Sequence, residues 1–168
     1  MTHPNLTIVA AVGLDGEIGR AGGLPWPRIA ADMRRFRLLT AGGVVVMGRR
    51  TWNSLPFPLV GRTCIVVMND GYVSPGTYHR YAGNLADAIW SHRDGPFLAV
   101  GGVEIFREAL PLASTFHLTR VLARYPDADT YFPAWPFPAA GDGWRLIFTV
   151  SPKQAPGEPA IIMETYRK

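Results

Sequence analysis

Short apolar runs rich in β-branched residues recur along the chain and alternate with segments of helical character. Runs of this length that are bounded by turn residues are typical of strands. Strands are predicted at residues 6–12, 44–47, 63–68, 77–81, 97–100, 116–122, 145–150 and 160–164. Helices are predicted at residues 29–39, 50–55, 85–92 and 103–110. Because strands and helices alternate over the first two thirds of the chain, they predict a mostly parallel sheet covered on both faces.

The order of these elements indicates an α/β fold with a mostly parallel central sheet of about eight strands, flanked by about four helices. The last two strands are separated by a Pro- and Gly-rich turn at residues 152–159, which predicts a C-terminal antiparallel hairpin. A chain of 168 residues has the length of one domain. Since no repeat, low-complexity tract or linker divides it, we expect a single domain over residues 1–168.

The composition restricts the ligands that such a domain is expected to bind. Hydrophobic residues make up 48% of the chain and the net charge is only +4, which indicates a folded globular protein. The arginines form short clusters rather than long basic runs, so a small anionic ligand is favoured over nucleic acid. Cys64 lies in an apolar run and is expected to pack as a small hydrophobic residue. The four histidines show no ligand spacing, so no metal site is expected.

Asp32 lies in the first predicted helix at a position where an apolar residue is expected. It shares one helical face with Ile29, Met33 and Phe36. A carboxylate that faces a core is costly unless a partner or a ligand satisfies it, and burial raises its pKa toward the range used in acid chemistry. A helix rotated by about 100° would instead place Asp32 at its solvent edge. The periodicity alone leaves both arrangements open, and only the first reserves Asp32 for a ligand.

Two segments run from a predicted strand through glycine into a predicted helix. The first turns at Gly48 and continues with Arg49-Arg50-Thr51, and the second turns at Gly101-Gly102. In an α/β sheet, ligands bind at the carboxyl ends of strands, and free N–H groups at a helix start suit a phosphate. Two adjacent arginines also suit a second anionic group, such as a ribose 2′-phosphate. Taken alone, the first segment is equally compatible with a helix start whose arginines are solvated. The second segment alone is weak evidence, since any tight strand-to-helix turn can use two glycines.

These motifs occur in the order found in dihydrofolate reductases, and the chain resembles that family along nearly its whole length. Each motif is short, but the ordered set is specific. The matching residues and segments are Ala10-Ala11, Ile18-Gly19, Leu24-Pro25-Trp26, Asp32, Phe36, 47–55, 58–62, 100–102, Leu110-Pro111, Leu118-Thr119 and 129–133.

The resemblance implies an NADPH-dependent oxidoreductase that reduces 7,8-dihydrofolate to 5,6,7,8-tetrahydrofolate, in support of one-carbon and thymidylate metabolism. Hydride passes from the nicotinamide to C6 of the pterin, and N5 gains a proton. By the resemblance, Asp32 pairs with the 2-amino group and a ring nitrogen of the pterin, and Thr119 supports that pair. Leu24 and Trp26 lie on a loop that closes over the nicotinamide and excludes water. Since Asp32 binds the far side of the ring, we infer that its charge favours the protonated pterin and that water delivers the proton.

The remaining site residues follow from the same resemblance. Substrate contacts are expected at Ala10, Met33, Phe36, Arg37, Ser54, Leu55, Arg62, Val100 and Phe106, where Arg62 binds the α-carboxylate of the glutamate tail. Cofactor contacts are expected at Ala11, Ile18, Gly19, Gly48, Arg49, Arg50, Thr51, Met68, Asn69, Gly101, Gly102, Val103, Glu104, Ile105 and Thr130. We expect a cytoplasmic monomer that binds dihydrofolate and antifolate inhibitors and has no nucleic-acid or membrane partner.

Four departures from the family pattern bear on these roles. Five residues separate the loop tryptophan from Asp32 where most members have four, which alters the start of the first helix. Val103 stands where a third glycine is common and narrows the approach to the cofactor. Met68-Asn69 replaces a small hydroxyl and a basic or polar residue, which leaves selectivity for the 2′-phosphate to the two adjacent arginines. Ala128 occupies a position where glycine is usual, and we expect it to stiffen its loop and change the loop kinetics.

Two other functions remain open at this point. One is a reductase of another dihydropterin, such as dihydromethanopterin, or of a pyrimidine of riboflavin synthesis. Arg62 favours a glutamate-tailed folate, and Trp26 with Asp32 has no evident use on a pyrimidine. The other is a non-catalytic protein of the same fold that binds folate, which the retention of Asp32, Trp26 and both glycine turns disfavours.

Overall fold

The computed structural model of this chain describes residues 2–68, 79–92 and 95–168. Its strands are β1 (His3–Val12), β2 (Glu17–Gly19), β3 (Val44–Gly48), β4 (Thr63–Val67), β5 (His79–Ala82), β6 (Phe97–Ala99), β7 (Ala113–Val121), β8 (Thr130–Tyr131), β9 (Arg145–Val150) and β10 (Ile161–Arg167). Its helices are α1 (Ala30–Thr40), α2 (Arg49–Ser54), α3 (Leu85–Trp90) and α4 (Val103–Leu112).

Eight strands form one sheet in the order β5-β4-β3-β6-β1-β7-β10-β9. The first six of these pair in parallel, whereas β10 is antiparallel to both β7 and β9. The predicted fold class is confirmed, including the C-terminal hairpin and the four helices. Residues 77–78 of the predicted fourth strand lie outside the described residues. The two-stranded sheet of β2 and β8 was not predicted, because strands of two or three residues are too short to show a period of two.

The core on one face of the sheet is rich in aromatic side chains. We call it the first cluster; it lies under α3 and α4 and includes Phe106 and Phe116. The ring of Phe116 lies 5.6 Å from that of Phe132, 4.8 Å from that of Phe137 and 6.2 Å from that of Trp144. Large rings in mutual contact bury much apolar surface, so this face is the main source of hydrophobic stabilisation.

The core on the opposite face is divided in two. The second cluster consists of Trp26, Ile29, Val121, Ile161 and Met163. The third cluster consists of Val45, Met47 and Cys64, with Trp52 and Leu55 packed against it. Ala11 of β1 packs against the second cluster, and Val100, just after β6, packs against the third. The division therefore falls at the two central strands, where the strand order also reverses.

Other expectations from the sequence concern cysteine, metals and membranes. Cys64 is buried and has no disulfide, as predicted. Within the described residues, no group of His, Cys, Asp and Glu side chains is arranged to hold a metal ion. None of the helices in the described ranges is long and apolar enough to cross a membrane.

Replacement of Phe116 by alanine should destabilise the protein strongly, because its ring is fully buried between three other aromatic side chains. We expect a loss of about 3–5 kcal/mol in the free energy of unfolding, measured by urea denaturation. Phe148→Ala on β9 is the matched control, since that ring is 54% exposed, and its loss should be about 1 kcal/mol or less. Equal losses in the two variants would show that the first cluster does not dominate the stability.

Candidate active site

Asp32 is positioned by the way in which α1 begins. Ile29 immediately precedes the helix and is buried in the second cluster, which fixes the rotation of the first turn. The Asp32 carboxyl is thereby turned to the sheet, where it interacts with the buried Thr119 of β7. Burial raises the pKa of Asp32, while the Thr119 hydrogen bond and the charge of Arg35 act in the opposite direction. The arrangement with Asp32 at the solvent edge is therefore excluded.

The rest of α1 is less buried than its apolar pattern predicts. Thr40 is its one buried residue, and Met33 is 37% exposed rather than packed inward. Met33 shares the helical face of Ile29 and Asp32 without being buried, and its assignment to substrate contact stays a prediction. Phe36 is half-buried. Met33 and Phe36 are thus both accessible from solvent, as residues that contact a ligand must be.

The two glycine turns meet at the carboxyl ends of β3 and β6. The Gly48 backbone N–H donates to the Gly101 carbonyl at 2.8 Å. Gly101 has a φ of 119°, and a Cβ there would lie 3.3 Å from the Phe106 ring. A Cβ on Gly102 would lie 3.5 Å from Thr51 Oγ1. Four predicted cofactor residues, Gly48, Thr51, Gly101 and Gly102, are therefore neighbours. The positive φ and the nearby Phe106 ring favour glycine at position 101.

Other predicted cofactor residues surround these turns in different environments. Arg49 and Arg50 are exposed at the start of α2, and Val103 is half-buried. Glu104 is exposed and forms an ion pair with Arg107. The half-buried Ala11 and Ile18 pack against the second and first clusters respectively. The Met68 backbone N–H donates to the Ala82 carbonyl at 3.0 Å, and Asn69 lies outside the described residues.

Three residues that the resemblance assigns to ligand contact point their side chains into the core. Ile105 and Phe106 are 2% and 4% exposed and belong to the first cluster. The Ala10 side chain packs against the same cluster, on the sheet face opposite Asp32. These side chains support the turns and the sheet, and their assignment to ligand contact stays a prediction.

The loop that precedes α1 is attached to the segment that follows β7. Glu17 is buried, and its carboxylate accepts hydrogen bonds from the Asp15 N–H at 2.9 Å and the Tyr125 N–H at 2.8 Å. Asp129 accepts one from the Ala21 N–H at 2.7 Å. Glu17 was not predicted as a functional residue, because a glutamate between turn residues is usually solvated. The sequence signal for it is Gly13, since a Cβ there would clash with the Glu17 carboxylate.

Two predicted cofactor residues, Gly19 and Thr130, belong to this attachment. They face each other across the β2–β8 pair, and the Thr130 hydroxyl donates to the Asp129 carboxylate at 2.8 Å. Of the predicted closing residues, Leu24 is 53% exposed, whereas Trp26 is buried in the second cluster with its ring 5.5 Å from that of Tyr125. Trp26 therefore anchors the end of the loop, and Leu24 is the accessible side chain.

Arg62 is fixed at the edge of a cavity of about 440 Å³. Its guanidinium donates to Thr40 Oγ1 at 2.7 Å and to the carbonyls of Val60 and Arg37 at 2.9 and 3.1 Å. A guanidinium has five N–H donors, so within the described part of the chain two remain for a ligand. The cavity is lined by Trp52, Pro58, Leu59, Val60, Gly61, Arg62 and Cys64. Leu55 packs against the third cluster nearby, while Ser54 is exposed and donates to the Thr51 carbonyl at 2.7 Å.

Asp32→Asn should stabilise the fold at neutral pH, because burial disfavours the ionised carboxyl. The pKa of Asp32 is raised in the folded state. Above that pKa the wild type is destabilised by the buried carboxylate, and below the unfolded-state pKa of 3.8 the carboxyl is neutral and this destabilisation is absent. We expect the Tm of the variant to exceed that of the wild type by about 2 °C or more at pH 7. The difference should disappear at acid pH. Asp87→Asn, at an exposed position of α3, should change Tm by about 1 °C or less. A lower Tm for Asp32→Asn at pH 7 would contradict the desolvation argument.

Comparison with known proteins agrees with this arrangement. The family model described as "Dihydrofolate reductase" matches residues 5–161. Dihydrofolate reductase type 8 of Escherichia coli is 36% identical over 134 residues, which cover 75% of this chain and 79% of that protein. Dihydrofolate reductase of Mycobacterium leprae is 41% identical over 129 residues, covering 74% and 72%. Dihydrofolate reductase of Haemophilus influenzae is 33% identical over 128 residues, covering 76% and 78%. This chain, with its carboxylate on α1 and its paired glycine turns, belongs to the dihydrofolate reductase family.

Proposed function

We propose that this protein reduces 7,8-dihydrofolate to 5,6,7,8-tetrahydrofolate with NADPH as the hydride donor. The observation that carries the proposal is the Asp32 carboxyl, which is desolvated, hydrogen-bonded to Thr119 and set at the division between two apolar clusters. A flat heterocycle with a cationic amino edge fits such a carboxylate. The names of the relatives support dihydrofolate rather than another dihydropterin or a pyrimidine.

Asp32 binds and orients the pterin in this mechanism. Its carboxylate accepts hydrogen bonds from the 2-amino group and the adjacent ring nitrogen, while the Thr119 hydroxyl supports it from β7. A negative charge in a desolvated site stabilises positive charge strongly, so the pterin protonated at N5 is favoured. Because Asp32 holds the far edge of the ring, water brings the proton to N5. NADPH, when bound, supplies the hydride that C6 accepts.

The residues at the glycine turns fit NADPH. Gly48 and Gly101 are joined by a backbone hydrogen bond next to Thr51, and neither glycine carries a Cβ that would hinder close approach of a flat ring or a phosphate to the backbone. Arg49 and Arg50 are exposed next to this surface and present guanidinium groups, which bind phosphate oxygens in pairs. These arginines would hold the diphosphate and the ribose 2′-phosphate.

The arrangement of Arg62 suits the glutamate tail of folate. Its guanidinium is held by Thr40, Val60 and Arg37, so little conformational freedom is lost when a carboxylate binds. The apolar walls of the adjacent cavity, among them Trp52 and Leu59, suit an aromatic spacer. A substrate that reaches from Asp32 to Arg62 has a basic ring at one end and an acidic group at the other, as dihydrofolate has.

The same proposal covers the organisation of the protein and its partners. We propose that residues 1–168 act as one domain and as a monomer in the cytoplasm, and that antifolates with a diaminopyrimidine ring pair with Asp32. Leu24 closes over the bound ligands and excludes water, while Trp26 anchors its loop. The non-catalytic folate-binding alternative has no observation in its favour, since the carboxylate and both turns are in place.

Purified protein should oxidise NADPH in the presence of dihydrofolate and should use NADH much less well, because NADH lacks the 2′-phosphate. Asp32→Asn should lower kcat at pH 7 by about 100-fold or more, since it removes the charge that favours the protonated pterin. Asp87→Asn serves as the control and should retain wild-type rates. Absence of NADPH oxidation by the wild type would refute the reductase. Full turnover by Asp32→Asn would refute the role given to that carboxylate.

Arg62→Met should raise the KM for dihydrofolate by about 10- to 100-fold with a smaller change in kcat, because a charged hydrogen-bonded pair is lost from uniform binding. A dihydropterin without the glutamate tail should give the same kcat/KM with the variant as with the wild type. Steady-state kinetics with both substrates measures this difference. Equal losses with the two substrates would mean that Arg62 acts on the fold rather than on the tail.

A further inference from the structure

Arg35 is a cation on the inward side of α1, three residues after Asp32. Its Nη1 donates to the Leu118 carbonyl at 2.9 Å, and its Nη2 donates to the Glu164 carbonyl at 2.7 Å. Longer contacts join the same nitrogens to Thr119 Oγ1 at 3.4 Å and Thr165 Oγ1 at 3.3 Å. The fork of the guanidinium therefore spans β7 and β10 and is fixed in place on the sheet beside Thr119.

The partners of Arg35 in these hydrogen bonds are neutral. Carbonyl and hydroxyl oxygens satisfy the N–H groups without cancelling the charge, so the positive charge is available to nearby carboxylates. Burial lowers the pKa of Arg35, while the carboxylates of Asp32 and Glu164 raise it. An arginine in a protein stays protonated even so. Asp32 thus has a permanent cation close by on its own helix.

The contact with Thr119 also leaves the hydroxyl proton free to be donated elsewhere. A guanidinium has donors only, so Thr119 Oγ1 accepts from Arg35. The proton of that hydroxyl stays available for another acceptor, and Asp32 is the carboxyl whose pKa Thr119 lowers. A hydroxyl that donates to a carboxyl stabilises its ionised form. At 3.4 Å the Arg35 contact is long, so we expect the through-space charge to have the larger effect.

Resting on the role proposed above for Asp32, we infer that Arg35 is a positioning residue that keeps this carboxylate ionised and leaves the Thr119 proton available to it. The pterin then meets a charged carboxylate despite the dry surroundings. Arg35 touches neither substrate nor cofactor in this arrangement; it acts through Asp32 and Thr119.

Other charged groups near this site do not replace Arg35. The Glu164 carboxylate is held by Arg120 at 2.6 Å and by the Tyr166 hydroxyl at 2.8 Å. His117 on β7 interacts with Thr165 Oγ1 at 2.9 Å. Burial, together with the charges of Arg35 and Arg167, lowers the pKa of His117 to about 4, so it is neutral at pH 7. Among the described residues, Arg35 is the cation recorded as acting on Asp32.

The test is a pH titration of Asp32 in the ligand-free protein by NMR, with aspartate labelled by ¹³C at the carboxyl and Asp32→Asn used for assignment. Arg35→Gln removes the charge but keeps an N–H donor, and we expect the titration midpoint of Asp32 to rise by about one pH unit or more. Arg35→Lys should restore at least half of that shift. Arg34→Gln, at an exposed position of the same helix, is the control and should leave the midpoint within about 0.2 units. The acid limb of kcat/KM should move with the NMR midpoint.

An unchanged Asp32 midpoint in folded Arg35→Gln would overturn the inference. If that variant does not fold, the inference is tested on the wild-type protein instead. The ¹⁵N and ¹H resonances of the Arg35 guanidinium should shift with the midpoint of Asp32, and the shift should be absent in Asp32→Asn. Guanidinium resonances that do not change through the Asp32 titration would likewise overturn it. The titration requires no turnover, so its result is independent of whether dihydrofolate is the substrate.

Discussion

The desolvation of one carboxyl group, balanced by a hydroxyl and a guanidinium, is the constraint around which this structure is organised. In the proposed mechanism, Asp32 is desolvated enough to act strongly on a bound ring and yet remains ionised. Burial works against ionisation, and Thr119 and Arg35 work for it. Both groups depend on the sheet: Thr119 lies on β7, and Arg35 is held by carbonyls of β7 and β10. The chemistry of α1 is therefore set by the strands on which it lies.

The division of the core explains why the site lies where it does. On one face, the first cluster is continuous and aromatic, and it provides a rigid support. On the other face, the second and third clusters are separate, and the division between them follows β1 and β6. Successive strands are added on opposite sides of this central pair. Ligands bind at such a reversal of strand order in open α/β sheets. The topology of the sheet thus places the site between two separate clusters, so that the packed core needs no internal cavity for a ligand.

The sequence was most informative where a pattern extends over many residues. The eight strands, the four helices and the glycine turns were predictable because alternation and turn chemistry are local. The exposure of Met33, the inward Ala10 and the buried Glu17 were not, because each depends on segments distant in sequence. Arg35 is the clearest case. Its arginine neighbours suggested an anionic ligand, whereas its partners are carbonyl groups more than eighty residues away.

The loop before α1 is tied at both ends to one short segment after β7. At one end the Ala21 N–H is bound by Asp129, and at the other the Trp26 ring packs on Tyr125. Only four residues, Gly22 to Pro25, lie between these two ties. Because both ends of residues 22–25 are attached to residues 125–129, this loop cannot move far unless residues 125–129 move with it. We therefore expect any opening of this loop to displace residues 125–129 together with residues 22–25, so that substitutions in either segment change its rate.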